Sequence, residues 1–171
     1  MQDRVGIGSD SHRFQADRRL ILGGVHIPDS PGLAGHSDAD ALTHAIIDAL
    51  LGAAALGDMG HYFPPGDPQW AGADSQGLLT RSVALLLEHG YRVGNVDATV
   101  VAESPILRPY LSRMRERLAA ALGVEAGAVS VKATTAEGMG ALGRGEGIQA
   151  QAIVRIVPAT SENHRTARTD P

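Results

Sequence analysis

The feature that most constrains the fold is a run of apolar residues at helical spacing over residues 38–56. The positions that recur every three or four residues are Leu42, Ala45, Ile46, Ala49, Leu50 and Ala53. This spacing predicts an amphipathic helix over 38–56, capped by Ser37 or Asp38 and ended by Gly57. Similar patterns with glycine stop signals predict two further helices, over 74–88 and 105–122.

Segments rich in β-branched or alternating apolar residues predict strands around these helices. They are residues 4–7, 19–22, 25–27, 93–102, 129–135 and 148–157, with Gly8 expected to stop the first. Stretches rich in Gly and Pro at 28–35, 57–72 and 137–147 are expected to be loops. Because strands and helices are mixed along the chain, the predicted fold is an α/β sandwich with helices on one face of a sheet.

Length and composition narrow the class of protein. The 171 residues fit one domain, expected over 1–157, followed by a polar tail at 158–171 that is predicted to be disordered. A net charge of −4 argues against nucleic-acid and anionic-membrane surfaces. The longest apolar stretch, 49–56, is too short to span a bilayer, and residues 1–8 show no secretory pattern. The lack of cysteine excludes disulfides and thiol chemistry and fits a cytoplasmic protein.

Three side chains form a candidate metal site. Asp10 and His12 are two residues apart, so in extended backbone both project to one side. Taken alone, this pair is more simply explained by a turn that Asp10 caps beside an exposed His12. Adding His44 gives two imidazoles and one carboxylate, a common metal-binding set that leaves a position open for a substrate oxygen.

The surroundings of His44 have two interpretations. Asp40, His44 and Asp48 are spaced by four residues and share one face of the predicted helix. They form either a polar rim with a satisfied histidine or the support of a metal ligand. A ligating histidine usually donates its other ring N–H to a carboxylate or carbonyl, and Asp48 or Asp40 is the candidate acceptor.

Two further segments have the composition of phosphate-binding loops. Gly57–Pro64 is rich in glycine, whose exposed N–H groups can hold phosphates, although a simple turn explains it equally well. Lys132–Glu137 places two threonines and a carboxylate at a predicted strand end, before a loop with five glycines. Its threonine hydroxyls suit diphosphate oxygens and its carboxylate suits Mg²⁺, but it equally fits an ordinary strand end rich in hydroxyls.

Several motifs together resemble the 2-C-methyl-D-erythritol 2,4-cyclodiphosphate synthase family of the non-mevalonate isoprenoid pathway. The motifs are Gly8–Arg13, Gly35–Asp40 with His44, Ala55–Asp58, Gly72–Ser75, Val131–Thr135 and Gly143–Gly147. They occur in the order and spacing of the family between about residues 4 and 157. The chain departs from the family at Ala141, which replaces an aromatic residue.

The resemblance implies a reaction, its metals and an assembly. The 2-phosphate of 4-diphosphocytidyl-2-C-methyl-D-erythritol 2-phosphate would attack the β-phosphate, forming the cyclic diphosphate and releasing CMP, so the enzyme would be a phosphorus–oxygen lyase. Zn²⁺ would bind Asp10, His12 and His44, while Mg²⁺ or Mn²⁺ would bind Glu137 and the diphosphate. The family implies a four-stranded type of mixed sheet and a homotrimer with active sites between subunits.

The resemblance also implies roles for individual residues. His36 and Thr135 would stabilise the transition state, and Asp58 and Gly60 would hold the methylerythritol hydroxyls. Ala102, Pro105, Leu107, Ala133 and Thr134 would form the cytidine pocket. The other implied substrate contacts are Asp10, His12, Ser37, Met59, Phe63, Asp67, Glu137, Ala141 and Arg144. Arg144 and Glu146 would line a central cavity for an isoprenoid diphosphate.

Two other functions use the same residues. A metal-dependent phosphate-ester hydrolase would use the three ligands to activate water. A non-catalytic trimeric isoprenoid-binding protein would use the metal only to brace its fold. Two histidines and one carboxylate also suit Mn²⁺, Co²⁺ or Fe²⁺, so the residues alone do not select the metal.

Overall fold

The chain folds into a sheet with helices packed on one of its faces. The computed structural model describes residues 1–159. The strands are β1 (Arg4–Leu22), β2 (Val25–Leu33), β3 (Tyr91–Val101), β4 (Val129–Thr134) and β5 (Gly147–Pro158). The helices are α1 (Ala41–Ala53), α2 (Met59–Tyr62), α3 (Ser75–Glu88), α4 (Leu111–Leu122) and α5 (Gly140–Gly143). Strand β5 includes Pro158, and residues 160–171 of the predicted tail lie outside the described residues.

The sheet has five strands in the order β2-β1-β5-β3-β4, so the expectation of a four-stranded sheet was wrong by one strand. Strands β3 and β4 are parallel and the other pairs are antiparallel, which confirms a mixed sheet. The additional strand arises because β1 is long: residues 4–13 pair with β5, and residues 14–15 and 19–22 pair with β2.

Gly8 does not end the first strand, contrary to the prediction. Gly6 and Gly8 lie where helix α1 crosses β1, and a Cβ atom at either position would overlap a carbonyl oxygen of the helix. A Cβ on Gly8 would also lie 2.6 Å from the nitrogen of Ala49. These glycines permit close approach of strand and helix. The strand that carries Asp10 and the helix that carries His44 are therefore in direct backbone contact.

The other differences from prediction have local causes. Strand β2 runs through the predicted loop at 28–35 because it is an edge strand, where prolines are tolerated. Helix α1 is shorter than 38–56 because Ala39 and Ala55 have φ of 56° and 60°, outside the helical region. Helix α4 begins at Leu111 rather than at residue 105, after a 3-10 turn over Arg108–Tyr110 that contains Pro109.

The two faces of the sheet differ in exposure, which confirms that helices cover one face. The inward residues of β5 are almost fully buried: Ile148, Ala150, Ala152, Val154 and Ile156. On the opposite face, Val5, Ile7 and Ile153 are 69%, 71% and 51% exposed, and Ile7 pairs with Ile153 across β1 and β5. In residues 1–159, no helix is long and apolar enough to cross a membrane.

Candidate active site

The structure brings the three predicted metal ligands together, and we call Asp10, His12 and His44 the metal-site cluster. Asp10 Oδ2 lies 2.8 Å from His12 Nε2 and 2.9 Å from His44 Nδ1. One donor atom from each residue lies within 4.8 Å of the others. Strand alternation turns Asp10 and His12 to the same side, and the contact of α1 with β1 brings His44 to them.

The close contacts within this cluster shift the pKa values of Asp10 and His12. Burial raises the pKa of Asp10, but the interactions with His12 and His44 outweigh it and hold the pKa of Asp10 well below its ordinary value. The Asp10 carboxylate raises the pKa of His12 above its ordinary value, against the opposing effect of burial. The carboxylate therefore stays ionised and supplies the negative charge that a cation would need.

The donor set fits a divalent metal. His12 Nε2 is buried and makes no hydrogen bond of acceptable geometry among the described residues, although Asp10 Oδ2 lies 2.8 Å away. A buried nitrogen without a partner is costly unless something binds it. Its lone pair, the Asp10 carboxylate and His44 Nδ1 suit Zn²⁺, which takes imidazole and carboxylate ligands and keeps one position open.

The predicted partner of His44 was wrong. Its Nε2 lies 2.8 Å from Ser75 Oγ and 3.2 Å from Ser37 Oγ. Asp48 instead accepts the backbone N–H of Met59 at 2.7 Å, and burial raises its pKa. Asp40 also has other partners.

Asp40 caps helix α1 and braces the β1–β2 turn. Its carboxylate accepts the N–H groups of Thr43, Gly23 and Gly24 at 3.0, 2.9 and 2.7 Å. Burial raises the pKa of Asp40. These hydrogen bonds use both carboxylate oxygens of Asp40, which explains why Asp40 does not accept a ring N–H from His44.

A cavity of about 240 Å³ opens beside the metal-site cluster. Its lining includes eight predicted residues: Asp10, His12, His36, Ser37, His44, Met59, Gly60 and Phe63. Asp58 and Asp67 lie in the same loop, where their side chains cap α2 and the 3-10 turn Pro68–Trp70. The backbone carbonyl of Asp67 lies 3.3 Å from His36 Nε2.

Sequence reasoning missed several residues around this cavity. Trp70 and Leu78 line it, and Trp70 packs edge-on against Phe63 with ring centroids 5.1 Å apart. Arg18 donates to the carbonyls of Gly35 and Ser37, on either side of His36. The single tryptophan of the chain, in a loop next to the candidate site, was a usable signal, whereas Arg18 lies in a segment without a motif.

The second predicted group lies around the end of β4, and we call residues 133–146 the strand-end loop. Thr135 Oγ1 donates to Glu137 at 3.0 Å, and both residues are exposed. Glu103, which was not predicted, accepts the N–H groups of Ala136 and Gly138 at 2.9 and 3.2 Å. No residue of the strand-end loop lines the cavity at the metal-site cluster.

Two of the predicted cytidine residues, Ala133 and Thr134, belong to the strand-end loop, and Ala102 is hydrogen-bonded to it. The Ala102 N–H donates to the Thr134 carbonyl at 3.0 Å, and Leu107 is buried. Pro105 lies between Ala102 and Leu107 in the sequence. Ala133 and Thr134 are exposed. Arg144 pairs with Glu146 at 2.7 Å, and Glu146 directly precedes the buried start of β5 at Gly147. The remaining predicted contact, Ala141, lies in α5 and is exposed.

The fold and the site define a two-layer α/β protein with an Asp–His–His site suited to a divalent metal. The chain belongs to the YgbB family, whose model matches residues 3–157.

The relatives and solved structures agree with that assignment. The chain is 61% identical over 156 residues to the 2-C-methyl-D-erythritol 2,4-cyclodiphosphate synthase of Thermosynechococcus vestitus, covering 91% of this chain and 97% of the relative. It is 59% identical over 154 residues to the synthase of Moorella thermoacetica, covering 90% and 94%. The IspF–CDP complex of Plasmodium falciparum superposes with a TM-score of 0.81 at 29% identity, covering 93% and 98%. The bifunctional IspDF of Campylobacter jejuni superposes with a TM-score of 0.88 at 38% identity, covering 91% of this chain and 42% of that one.

Proposed function

We propose that the protein converts 4-diphosphocytidyl-2-C-methyl-D-erythritol 2-phosphate into 2-C-methyl-D-erythritol 2,4-cyclodiphosphate and CMP. The observation that carries the proposal is the convergence of Asp10, His12 and His44 at the mouth of a cavity. Relatives that share more than half of their residues with this chain bear the name of that synthase. The expected class is a phosphorus–oxygen lyase working in the cytoplasm, which the lack of cysteine suits.

The reaction is an intramolecular phosphoryl transfer. An oxygen of the 2-phosphate forms a bond to the β-phosphorus, while the bond from that phosphorus to the oxygen bridging to the α-phosphate breaks. CMP leaves with the electron pair of that bond, so no outside proton donor, oxidant or nucleophile is consumed. Such a reaction needs in-line placement and neutralised charge more than a protein nucleophile, which a chain without cysteine can supply.

The metal-site cluster would hold Zn²⁺, which when bound neutralises phosphate charge as a Lewis acid. Asp10 contributes a carboxylate that its neighbours keep ionised, and the two histidines contribute ring nitrogens from β1 and α1. Glu137 is an exposed single carboxylate, which suits Mg²⁺ or Mn²⁺ taking its other ligands from the diphosphate and water.

The remaining residues orient the substrate and stabilise developing charge. His36 is exposed at the cavity, and Thr135 presents a hydroxyl at the end of β4, so both can donate to phosphoryl oxygens. Ser37, Asp58, Met59, Gly60, Phe63 and Asp67 would surround the methylerythritol phosphate. Ala102, Pro105, Leu107, Ala133 and Thr134 would bind cytidine, in keeping with the CDP that the P. falciparum IspF structure holds.

We propose a homotrimer in which two neighbouring chains share each site. The metal-site cluster and the strand-end loop do not meet in one cavity, so one chain supplies the two parts at separate places. The exposed Val5, Ile7 and Ile153 give the open face of the sheet an apolar patch that a second chain would cover. At the trimer axis, Ala141, Arg144 and Glu146 would line a central cavity for an isoprenoid diphosphate.

Product analysis tests the reaction. Purified protein with the CDP substrate, Zn²⁺ and Mg²⁺ should release CMP and form a cyclic diphosphate, both followed by phosphorus NMR. Linear phosphate products would instead indicate a hydrolase. Full zinc occupancy with no turnover would indicate a non-catalytic binding protein.

A further inference from the structure

The second ring nitrogen of His44 lies in a buried polar network that has no role in the reaction above. His44 is 7% exposed, and its Nδ1 faces Asp10. Its Nε2 lies 2.8 Å from the hydroxyl of Ser75, a residue with no exposed surface at the start of α3. Ser37 Oγ, at 3.2 Å, is a more distant second partner that already accepts the Ala39 N–H.

The carboxylate of Asp38 fixes the direction of the Ser75 hydroxyl. Its Oδ2 accepts the Ser75 backbone N–H at 3.0 Å, and its Oδ1 accepts the Ser75 hydroxyl proton. The Asp38 N–H donates to the Ala73 carbonyl at 3.1 Å, which ties the Asp38 backbone to the start of α3. With its single proton donated to Asp38, the Ser75 oxygen can only accept a hydrogen bond from His44.

We infer that Asp38 and Ser75 are positioning residues that select the protonated nitrogen of His44 and hold its ring. Because Ser75 accepts, Nε2 carries the proton, and Nδ1 is the atom that His44 presents to a cation beside Asp10. A histidine ligand supported in this way is oriented before the metal arrives, and its basicity is raised. The inference rests on the metal site of the proposed function.

Zinc affinity tests the inference without requiring turnover. In Ser75→Ala, the zinc dissociation constant, measured by competition with a chromophoric chelator, should rise about 10–100-fold, the usual effect of removing such support. Ser82→Ala is the matched control: Ser82 is on the same helix, equally buried, and donates to the Leu78 carbonyl at 3.0 Å. The control should stay within about twofold of the wild type, since it has no link to the ligands.

A second variant tests the part assigned to Asp38. Asp38→Asn keeps an oxygen for the Ser75 hydroxyl but replaces Oδ2 by an NH₂ group, which cannot accept the Ser75 N–H, so zinc affinity should fall less than in Ser75→Ala. In both variants, the visible absorption of bound Co²⁺ should shift because the ligand geometry changes, whereas in Ser82→Ala it should match the wild type.

The outcomes separate this inference from the proposed function. A wild type that binds no zinc would refute the metal site itself. Normal zinc binding in a folded Ser75→Ala, checked by circular dichroism, would refute the positioning role alone. If Ser75→Ala does not fold, Asp38→Asn decides: wild-type affinity and an unshifted Co²⁺ spectrum in that variant would overturn the inference.

Discussion

The metal-site cluster and the strand-end loop belong to the same proposed site but are built in opposite ways. The cluster is partly buried, and one chain supplies its ligands together with their supporting hydroxyls and carboxylate. In the strand-end loop, Thr135 and Glu137 are exposed and bond mainly to each other. The metal-site cluster is thus organised within one chain, whereas the strand-end loop presents Thr135 and Glu137 outward, where a neighbouring chain or the substrate would complete the proposed site.

Removing a ligand should produce the largest effect on the cluster. His44→Ala deletes one of three metal donors, so zinc binding should be lost. The rate of CMP release should then fall about a thousandfold or more, because the metal contributes several kcal/mol of transition-state stabilisation. Metal analysis and the CMP assay measure the two effects. His26→Ala, an exposed histidine on β2, is the control and should change neither. Retained zinc in His44→Ala would show that His44 is not a ligand.

Changing the strand-end loop should affect turnover alone. Thr135→Ala removes a hydroxyl that would donate to a phosphoryl oxygen, so kcat should drop about a hundredfold. Zinc affinity should be unchanged, because Thr135 does not reach the cluster in its own chain. Thr80→Ala, an exposed threonine on α3, serves as control. Weaker zinc binding in Thr135→Ala would mean that the two regions are not separate.

Mixing inactive chains would test whether neighbours share a site. Co-refolded His44→Ala and Thr135→Ala chains should recover about a quarter of wild-type activity, because each shared site draws its two halves from different chains, each intact about half the time. The CMP assay before and after mixing gives the measurement. Activity no higher than the sum of the separate variants would place each site within one chain.

The smallest expected effect is on the stability of the metal-free protein. The lowered pKa of Asp10 contributes stability above about pH 4 that is lost as the pH falls. The raised pKa of His12 contributes stability below about pH 6.5 that is lost as the pH rises. Between these limits, Asp10→Asn should lower the melting temperature by about 2–4 °C for each kcal/mol lost.

Melting curves from pH 3 to 9 in a chelating buffer would measure this window. The exposed carboxylate variant Asp17→Asn should melt like the wild type throughout. A difference between wild type and Asp10→Asn that does not vary with pH would contradict the assigned ionisation.

Patterns that depend on near neighbours in the sequence were predictable. The apolar stripe of α1, the alternation of β5 and the helix of 74–88 follow from local periodicity, and the structure has all three. Asp10 and His12 were expected on one side of extended backbone, but only His44 and the family motifs made them a predicted metal site.

Features that depend on tertiary contact were not predictable. Glycine is a common residue at strand ends, so Gly8 was expected to end the first strand. Only the close packing of α1 on Gly8 explains why a glycine stands inside a continuing strand. The partner of His44 was sought on its own helix, yet Ser75 lies 31 residues away on another. Glu103 and Arg18 likewise form hydrogen bonds with backbone groups that are distant in the sequence, and no short sequence motif predicts such bonds.

The glycines of β1 also limit which substitutions the protein can accept during evolution. Because Gly6 and Gly8 leave no room for a methyl group beneath α1, any side chain there would push the helix outward. His44 would move with the helix while Asp10 stayed on its strand, widening the gap between imidazole and carboxylate. The absence of a side chain at Gly6 and Gly8 therefore helps to set the distance between Asp10 and His44 at the cation site.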